Sequence, residues 1–210
     1  DALMEKYFAG EEFTPEEIIE GLKKGVTAGE ICPVFAGVQQ TGAAVPLMVD
    51  TLLQILPSAA DAVCRFEDGE EKAFDENGEN ALFVFKTIAD PFVGKLSYFR
   101  VLSGKIKNDT RLINNRTGAE ERLSKIMWLK GGKKEDAGEI IAGDIGSVSK
   151  LGNVLTGDTL SVSGKLAAAA VDFPAPTISV AVYPKAKGDE EKITQAFSRL
   201  CEEDPTIKVY

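Results

Sequence analysis

The chain has 210 residues, of which 44% are hydrophobic and 27% charged, with a formal net charge of −9, a composition typical of globular proteins. It has no apolar run of the roughly 18 residues that a membrane-spanning helix needs, so we expect a soluble, cytoplasmic protein without a membrane partner. Histidine is absent and only three cysteines occur, which argues against zinc sites, Ser-His or Cys-His nucleophiles and a disulfide framework.

The charges are unevenly distributed along the chain. Residues 81–130 carry ten basic and four acidic side chains, whereas the rest of the chain is acidic. A locally basic face on an acidic protein is typical of a surface that meets a polyanion. The alternative is a solvated β surface of mixed charge, and charge alone favours that alternative.

The first 57 residues predict an α/β pattern of helix, helix, strand and helix. Apolar residues at helical spacing predict a helix over 2–8, and a second helix starts at Thr14, which precedes Pro15 as a cap. The apolar run 31–36 predicts a buried strand, and 46–56 predicts a third helix. One strand does not make a sheet, so this part of the fold lacks neighbours or packs on later residues of the chain.

Residues 64–80 are acidic and rich in turn formers, so we expect a linker or an exposed loop. Their carboxylates do not have the spacing of a calcium loop, and a solvated linker is favoured over a metal site.

From residue 81 the apolar pattern takes a period of two, with turn residues between short segments. Many short strands at this spacing predict a small closed β-barrel over residues 81–173. The predicted strands are Leu82–Thr87, Leu96–Leu102, Thr110–Ile113, Arg122–Trp128, Glu139–Ile141, Ile145–Val148 and Thr159–Val162.

Two prolines, Pro174 and Pro176, mark a boundary after the barrel. Beyond it we predict a strand over Thr177–Tyr183, a helix capped by Asp189 and a strand from Thr206, which together make a β-α-β unit.

The sequence contains no self-contained active site. Neither a G-x-x-x-x-G-K-[ST] phosphate loop nor a G-x-G-x-x-G motif occurs, and no carboxylate pair stands in a recognisable acid-base motif. The Gly143-Asp144 and Gly157-Asp158 pairs are typical of tight turns. We therefore predict no catalytic residue, no metal and no cofactor within this chain.

Two long stretches carry a family resemblance. Asp90–Gly104 resembles the opening of the second-domain barrel of bacterial elongation factor G, and Ile178–Thr206 resembles the start of its third domain. Ala142–Ile145 and Thr156–Leu160 are similar to further barrel motifs. Residues 3–7 and the helix from Thr14, together with 33–58, resemble the end of the insert and the last strand and helix of that factor's GTPase domain.

The resemblance implies a multi-domain α/β plus β fold and a central fragment of a five-domain translational GTPase. Its expected parts are the C-terminal part of a P-loop GTPase domain with its insert (1–63), an acidic linker (64–80), a translation-factor β-barrel (81–173) and a partial ferredoxin-like β-α-β third domain (174–210). GTP and Mg would bind the full-length protein through loops upstream of Asp1, so we expect this chain to be inactive as a GTPase. We also expect it to be monomeric.

The resemblance also implies a ribosomal partner, because the family's barrel leans on small-subunit ribosomal RNA (rRNA) and ribosomal proteins. The basic stretch supplies candidates for phosphate contacts, which carry affinity rather than sequence specificity. These rRNA-contact candidates are Lys95, Arg100, Lys105, Lys107, Arg111, Arg116, Arg122 and Lys125. For any single one of them, a solvated side chain on a strand's outer face is the favoured alternative.

Two stretches depart from the family. Where the family has Gly-Ser-Ala to read the guanine base, this chain has Gly37-Val38-Gln39, so Val38 offers no hydroxyl. Residues 130–138 also differ from the usual barrel loop. Both departures favour an elongation factor G-like paralogue, and they keep open a second function, that of a ribosomal protection or regulatory protein acting at the same ribosomal site. Tetracycline-resistance ribosomal protection proteins and the GTPase release factor share this architecture.

Overall fold

The computed structural model describes residues 2–90 and 94–210, so part of the stretch Asp90–Gly104 that carries the resemblance lies outside the described residues. The chain divides into two compact units, one that ends at Ala62 and one that runs from Val63 to Tyr210. The predicted domain limits at residues 63, 80 and 173 stay predictions. Each unit is described by itself.

The first unit contains three helices and a single 3-10 turn. They are α1 (Ala2–Ala9), α2 (Pro15–Thr27), α3 (Val45–Ile55) and the turn Ala59–Asp61.

The predicted start of α2 is confirmed in detail. Thr14 Oγ1 accepts a hydrogen bond from the Glu17 N–H at 3.3 Å, and the Glu17 carboxylate accepts one from the Thr14 N–H at 2.8 Å. This capping box satisfies two N–H groups that an uncapped helix leaves open, and Pro15 suits the first helical position. Lys6 of α1 pairs with Glu17 at 2.7 Å, so the same carboxylate also joins α1 to α2.

The strand predicted over residues 31–36 is not formed. Within residues 2–62 the structure has no strand, and Val34 is 90% exposed. A strand needs a neighbour to pair its backbone groups, and the unit supplies only a single bridge between Val38 and Ala43. The residues of this run are therefore apolar enough for a buried strand, but the predicted strand is wrong.

The second unit is mostly β. Its strands and one helix are β1 (Val63–Arg65), β2 (Glu71–Ala73), β3 (Ala81–Asp90), β4 (Gly94–Ser103), β5 (Lys105–Lys107), β6 (Thr110–Asn114), β7 (Glu120–Leu123), β8 (Ile126–Lys130), β9 (Lys133–Asp136), β10 (Glu139–Ile141), β11 (Ile145–Ser149), β12 (Thr159–Ser161) and α4 (Glu190–Glu203).

Eight of these strands form one antiparallel sheet in the order β7-β6-β12-β3-β4-β11-β8-β9, and β5 pairs separately with β10. The sheet curls around a single apolar core to which β3 to β8 and β10 to β12 contribute. The largest side chains buried in it include Phe99, Leu82, Ile106, Leu112 and Ile126. The predicted translation-factor β fold is therefore confirmed, but the described hydrogen-bonded ladder ends at β7 and β9, so the sheet is a curled half-barrel rather than the closed barrel that the sequence predicts.

The predicted strand Arg122–Trp128 is in fact two strands, β7 and β8. The two strands are separated by residues 124–125, and the Ile126 N–H at the start of β8 donates to the Asn108 side chain at 2.8 Å. The sequence also missed β5 and β9. In β9 all four residues are charged and exposed, so no alternation marks it as a strand.

Residues 64–80 differ from the exposed linker that the sequence predicts, because β1 and β2 form a hairpin there. Cys64 and Phe66 are buried with Ala81 and Leu102 in a second apolar cluster on the outside of the barrel. The stretch after β12 lies along the end of β1: the Ala169 N–H donates to the Arg65 carbonyl at 2.9 Å, and the Glu67 N–H donates to the Ala167 carbonyl at 3.0 Å. This segment is therefore part of the second unit.

The helix predicted after Asp189 is confirmed as α4, but Asp189 makes no side-chain cap and accepts from Lys192 instead. The strands predicted over 177–183 and from 206 are not formed, and Val180 and Tyr183 are about four-fifths exposed. Within the described residues neither segment has a neighbouring strand to pair with. The β-α-β prediction thus holds only for its helix.

Candidate nucleic-acid interface

The eight predicted contact residues all lie in the second unit, on or between strands β4 to β8. Lys95 and Arg100 are on β4, Lys105 and Lys107 on β5, Arg111 on β6 and Arg122 on β7. Arg116 and Lys125 lie in the connections after β6 and β7.

Seven of the eight side chains form an ion pair within the chain. The nitrogen–oxygen distances are 3.4 Å for Lys95–Glu202, 2.9 Å for Lys105–Glu76, 3.0 Å for Lys107–Glu139, 2.7 Å for Arg111–Glu120, 2.7 Å for Arg116–Asp158, 2.7 Å for Arg122–Asp109 and 2.8 Å for Lys125–Asp136. Five of these acids come from outside residues 81–130. The fold therefore neutralises much of the positive charge that the sequence concentrates there.

Arg100, the eighth candidate, is held by uncharged groups. Its Nε donates to the Gly143 carbonyl at 3.2 Å, and its guanidinium lies 4.3 Å from the centre of the Phe74 ring. A guanidinium in this position keeps its charge and stacks on the ring. Arg100 thus has a structural role on the outer face of β4.

Arg116 belongs to a buried polar network centred on Asp158. The Asp158 carboxylate is 4% exposed and accepts from Arg116 Nε at 2.7 Å and Nη2 at 2.9 Å. It also accepts from the Asn114 side-chain amide at 2.7 Å and from the Leu155 N–H at 2.9 Å. This bidentate arrangement ties the β6–β7 turn to the loop before β12.

The network sets the protonation of both partners. Burial alone would raise the pKa of Asp158, but the hydrogen bonds from Arg116, Leu155 and Asn114 outweigh it and hold that pKa below 3.8. The hydrogen bond to Asp158 raises the pKa of Arg116 further. The pair is ionised at neutral pH, and Arg116 already has partners within the fold.

Four candidates remain well exposed: Lys107, Arg111, Arg122 and Lys125, with side-chain exposures of 58 to 65%. They surround the Asn108-Asp109 turn, and we call them the basic turn. Arg111 and Arg122 are directly opposite each other in the β6–β7 ladder. Two like charges side by side repel, and each is offset by its own acid.

Lys105 and Lys95 are less available than the basic turn. Lys105 is 39% exposed, and its hydrogen bond to Glu76 raises its pKa. Lys95 is only 17% exposed and faces Glu202 of α4. The structure thus divides the eight predicted residues into four exposed side chains around the basic turn and four whose contacts within the fold hold them more firmly: Lys95, Arg100, Lys105 and Arg116.

The predicted guanine-reading loop lies in the first unit as a tight turn. The Val38 N–H donates to the Ala43 carbonyl at 3.1 Å, and a Cβ at Gly37 would lie 2.9 Å from that same carbonyl oxygen. The Val38 side chain is half exposed, and Gln39 begins the turn. In this arrangement the Val38 N–H already has a backbone partner, and the Val38 side chain carries no hydroxyl.

Lys86 is a cation of the basic stretch that was absent from the predicted set. Within the described residues its side chain has neither an ion pair nor a hydrogen bond, and it is exposed. Regular alternation from Val84 would put Lys86 in the core, so no sequence pattern marks it as a surface contact.

None of the described helices is both long enough and apolar enough to cross a membrane.

Comparison with protein families matches two parts of the chain in order. Residues 79–163 match the model of elongation factor G domain 2, and residues 173–210 match that of elongation factor G domain III. A crystal structure of a Thermus thermophilus protein is similar over the whole chain, with 27% sequence identity and a TM-score of 0.74, and this chain spans 30% of its length. The two family matches together cover more than half of the residues. The chain is therefore elongation factor G-like, with domain 2 of that factor followed by residues of its domain III.

Proposed function

We propose that this chain is the ribosome-binding part of a translational GTPase that resembles elongation factor G and acts in GTP-dependent translocation. The observation that carries the proposal is the match of domain 2 and domain III, in that order, to one chain. The small-subunit rRNA and ribosomal proteins are the proposed partners, and the cytoplasm is the proposed compartment.

The chain contributes binding rather than chemistry in this proposal. GTP and its Mg belong to the GTPase domain, and the 210 residues contain no G-x-x-x-x-G-K-[ST] motif to hold the phosphates. The Val38 turn, whose N–H already bonds to Ala43, does not fit a guanine base. We therefore assign no nucleotide-dependent step to these residues.

The basic turn is the proposed phosphate contact. Exposed ion pairs contribute little free energy, so Lys107, Arg111, Arg122 and Lys125 can exchange a carboxylate for a phosphate at small cost. Arg116, Arg100 and Lys95 lose structural contacts if they do so. Phosphate contacts release counterions, and affinity then falls steeply as salt rises.

Co-sedimentation with small ribosomal subunits across a salt series tests the proposal. The variant Lys107→Gln/Arg111→Gln/Arg122→Gln should bind more weakly than the unmodified chain. For each phosphate contact removed, the log–log salt slope should fall by about 0.7 to 0.9.

A matched control removes three exposed cations from other parts of the chain, in the variant Lys24→Gln/Lys72→Gln/Lys165→Gln. It should sediment like the unmodified chain. If the basic-turn variant and this control bind equally well, the phosphate contact lies elsewhere. If the unmodified chain does not sediment with the subunits at low salt, the proposed function is wrong.

The second candidate is a ribosomal protection or regulatory protein that occupies the same site without driving translocation. The turn at Val38 supports it, because Val38 offers no hydroxyl to a guanine base and its N–H already bonds to Ala43. Single-turnover translocation by the full-length protein, with GTP and without nucleotide, separates the two candidates.

A further inference from the structure

The helix α4 ends in three consecutive acidic residues, with Glu202 and Glu203 in its last turn and Asp204 as its C-cap. The carbonyl end of a helix has a partial negative charge, so carboxylates there are unfavourable unless cations or hydrogen-bond donors offset them. The last turn of α4 contains no basic residue. Asp204 is satisfied locally, because it accepts from the Thr206 N–H at 2.9 Å. Glu202 and Glu203 have their partners outside the helix.

The paired ends of β3 and β4 supply those partners. Glu203 accepts a hydrogen bond from the Ala89 N–H of β3, and Glu202 lies 3.4 Å from Lys95 Nζ of β4. Ala89 and Lys95 are cross-strand partners, so the two carboxylates meet adjacent points of one strand pair. The Lys95 side chain is 17% exposed, which shelters its ion pair from water and salt better than the exposed pairs of the basic turn. We call these two contacts the α4 latch.

The rest of the contact between α4 and the barrel is loose. No residue of α4 is buried, and the two apolar clusters described above contain no α4 side chain. A groove of about 540 Å³ lies between the helix and the strands, with Thr87 and Ile88 on one side and Arg199 on the other. The Thr87 hydroxyl is buried and has no hydrogen-bond partner among the described residues. Burial of apolar surface therefore contributes little to holding α4 in place, and the polar latch contributes most.

Arg199 gives Glu203 a second partner within the helix. It lies four residues before Glu203, its side chain is exposed, and it makes no ion pair or hydrogen bond among the described residues. Opposite charges at this spacing on a helix stabilise it slightly. The Glu203 carboxylate can thus be satisfied in two positions of α4, one against Ala89 and one away from the barrel beside Arg199.

We propose that the α4 latch is a conformational switch. With both glutamates on the barrel, α4 is docked on the ends of β3 and β4, and loss of either contact releases the helix from a barrel that stays folded. Residues 79–163 match domain 2 and residues 173–210 match domain III, so the latch sets whether the described residues of domain III move with domain 2. The inference does not depend on the ribosomal proposal, because it rests on contacts within one chain.

Amide hydrogen exchange of the 210-residue chain tests the switch, because the Ala89 N–H belongs to the latch. Glu202→Gln removes the ion pair and leaves the bond from Ala89 to Glu203 untouched. If the two contacts act together, exchange at Ala89 should accelerate about tenfold or more, and NMR relaxation should show α4 tumbling independently of the barrel. The amides of Val84 and Val101, which bond within the barrel, should exchange as slowly as before.

Charge reversal separates a switch from a general loss of structure. Lys95→Glu places two carboxylates side by side and should release α4. Lys95→Glu/Glu202→Lys restores an opposite pair in reverse and should return exchange at Ala89 to its slow rate. Glu191→Gln in the first turn of α4 and Arg199→Gln beside the latch remove charges that the latch does not use, and α4 should stay docked in both.

The inference is wrong if Glu202→Gln and Lys95→Glu leave α4 tumbling with the barrel, or if the reversed pair fails to restore slow exchange. Release of α4 in the Glu191 or Arg199 variant would also overturn it, because the effect would then not belong to the latch. Faster exchange at Val84 and Val101 in the latch variants would show that the barrel unfolds with the helix, which contradicts a switch. Independent tumbling of α4 in the unmodified chain would show that the latch does not hold it.

Discussion

Asp158 joins two loops of the barrel to β6 through one buried carboxylate, which accepts from Arg116, Asn114 and the Leu155 backbone. Asp158→Ala would leave those donors without a partner, and unpaired buried donors are expensive. We expect the free energy of unfolding in urea to fall by about 2 to 4 kcal/mol. Glu120→Ala, which removes an exposed partner of Arg111, is the matched control and should unfold like the unmodified chain. Equal effects of the two variants would contradict this role of Asp158.

The same carboxylate predicts a pH dependence. Its pKa is lowered in the folded chain from 3.8, so its stabilising effect is present above about pH 3.8 and is lost as the pH falls below that value. We therefore expect the stability difference between the unmodified chain and Asp158→Asn to shrink below pH 3.8. Urea unfolding at neutral pH and at several acid pH values measures this difference. A constant difference would show that the Asp158 charge is not what stabilises the network.

At the scale of the elements, β11 pairs with β4 at Gly146, opposite Phe99, where an added Cβ would press on buried side chains. A Cβ at Gly146 would lie 2.2 Å from Ile140 Cδ1 and 2.9 Å from the Phe99 ring. Overpacking of this kind costs about 1 to 3 kcal/mol, and we expect Gly146→Ala to lower the free energy of unfolding by that amount. Gly138→Ala, where no atom lies within 4 Å of the new Cβ, should cause no loss in the same urea titration. If Gly146→Ala unfolds at the same urea concentration as the unmodified chain, the packing around Gly146 is looser than described.

The period-two pattern was sufficient to predict most of the barrel, because its strands bury one face and expose the other. It failed at β9, where all residues are charged, and at the break between β7 and β8, where the Ile126 N–H donates to the distant Asn108 side chain. It also predicted strands over 31–36 and 177–183, where the residues are suited to a sheet but have no neighbour. A strand forms only when a second segment supplies backbone hydrogen bonds, so the sequence of one segment alone does not predict it.

The candidate interface shows the same limit. The sequence identified the cations near residue 110, but their partners are far along the chain, as in Lys95 with Glu202 and Arg116 with Asp158. The apparent basic stretch is therefore largely paired. Conversely, Lys86 was missed because only the bulge at Phe85 brings it to the surface. Charge along a sequence predicts charge on a surface only where the fold adds no counter-charges.

At the scale of the whole molecule, the chain combines elongation factor domains with a sequence that has no phosphate-binding loop. We therefore expect no saturable GTP binding by the 210-residue chain in calorimetry at micromolar concentrations. The sequence has no G-x-x-x-x-G-K-[ST] motif to hold the phosphates of a guanosine nucleotide, and the Val38 N–H already donates to the Ala43 carbonyl. Saturable micromolar binding would require a nucleotide site that the described residues do not provide.

The central claim is that this chain binds the ribosome where elongation factor G binds. Competition tests it most directly: labelled chain is bound to ribosomes at low salt, and excess unlabelled elongation factor G is added. Because both ligands would occupy one site, we predict that the factor displaces the labelled chain as its concentration rises, while an equal excess of an unrelated acidic protein does not. Labelled chain that stays bound at saturating elongation factor G would contradict the claim.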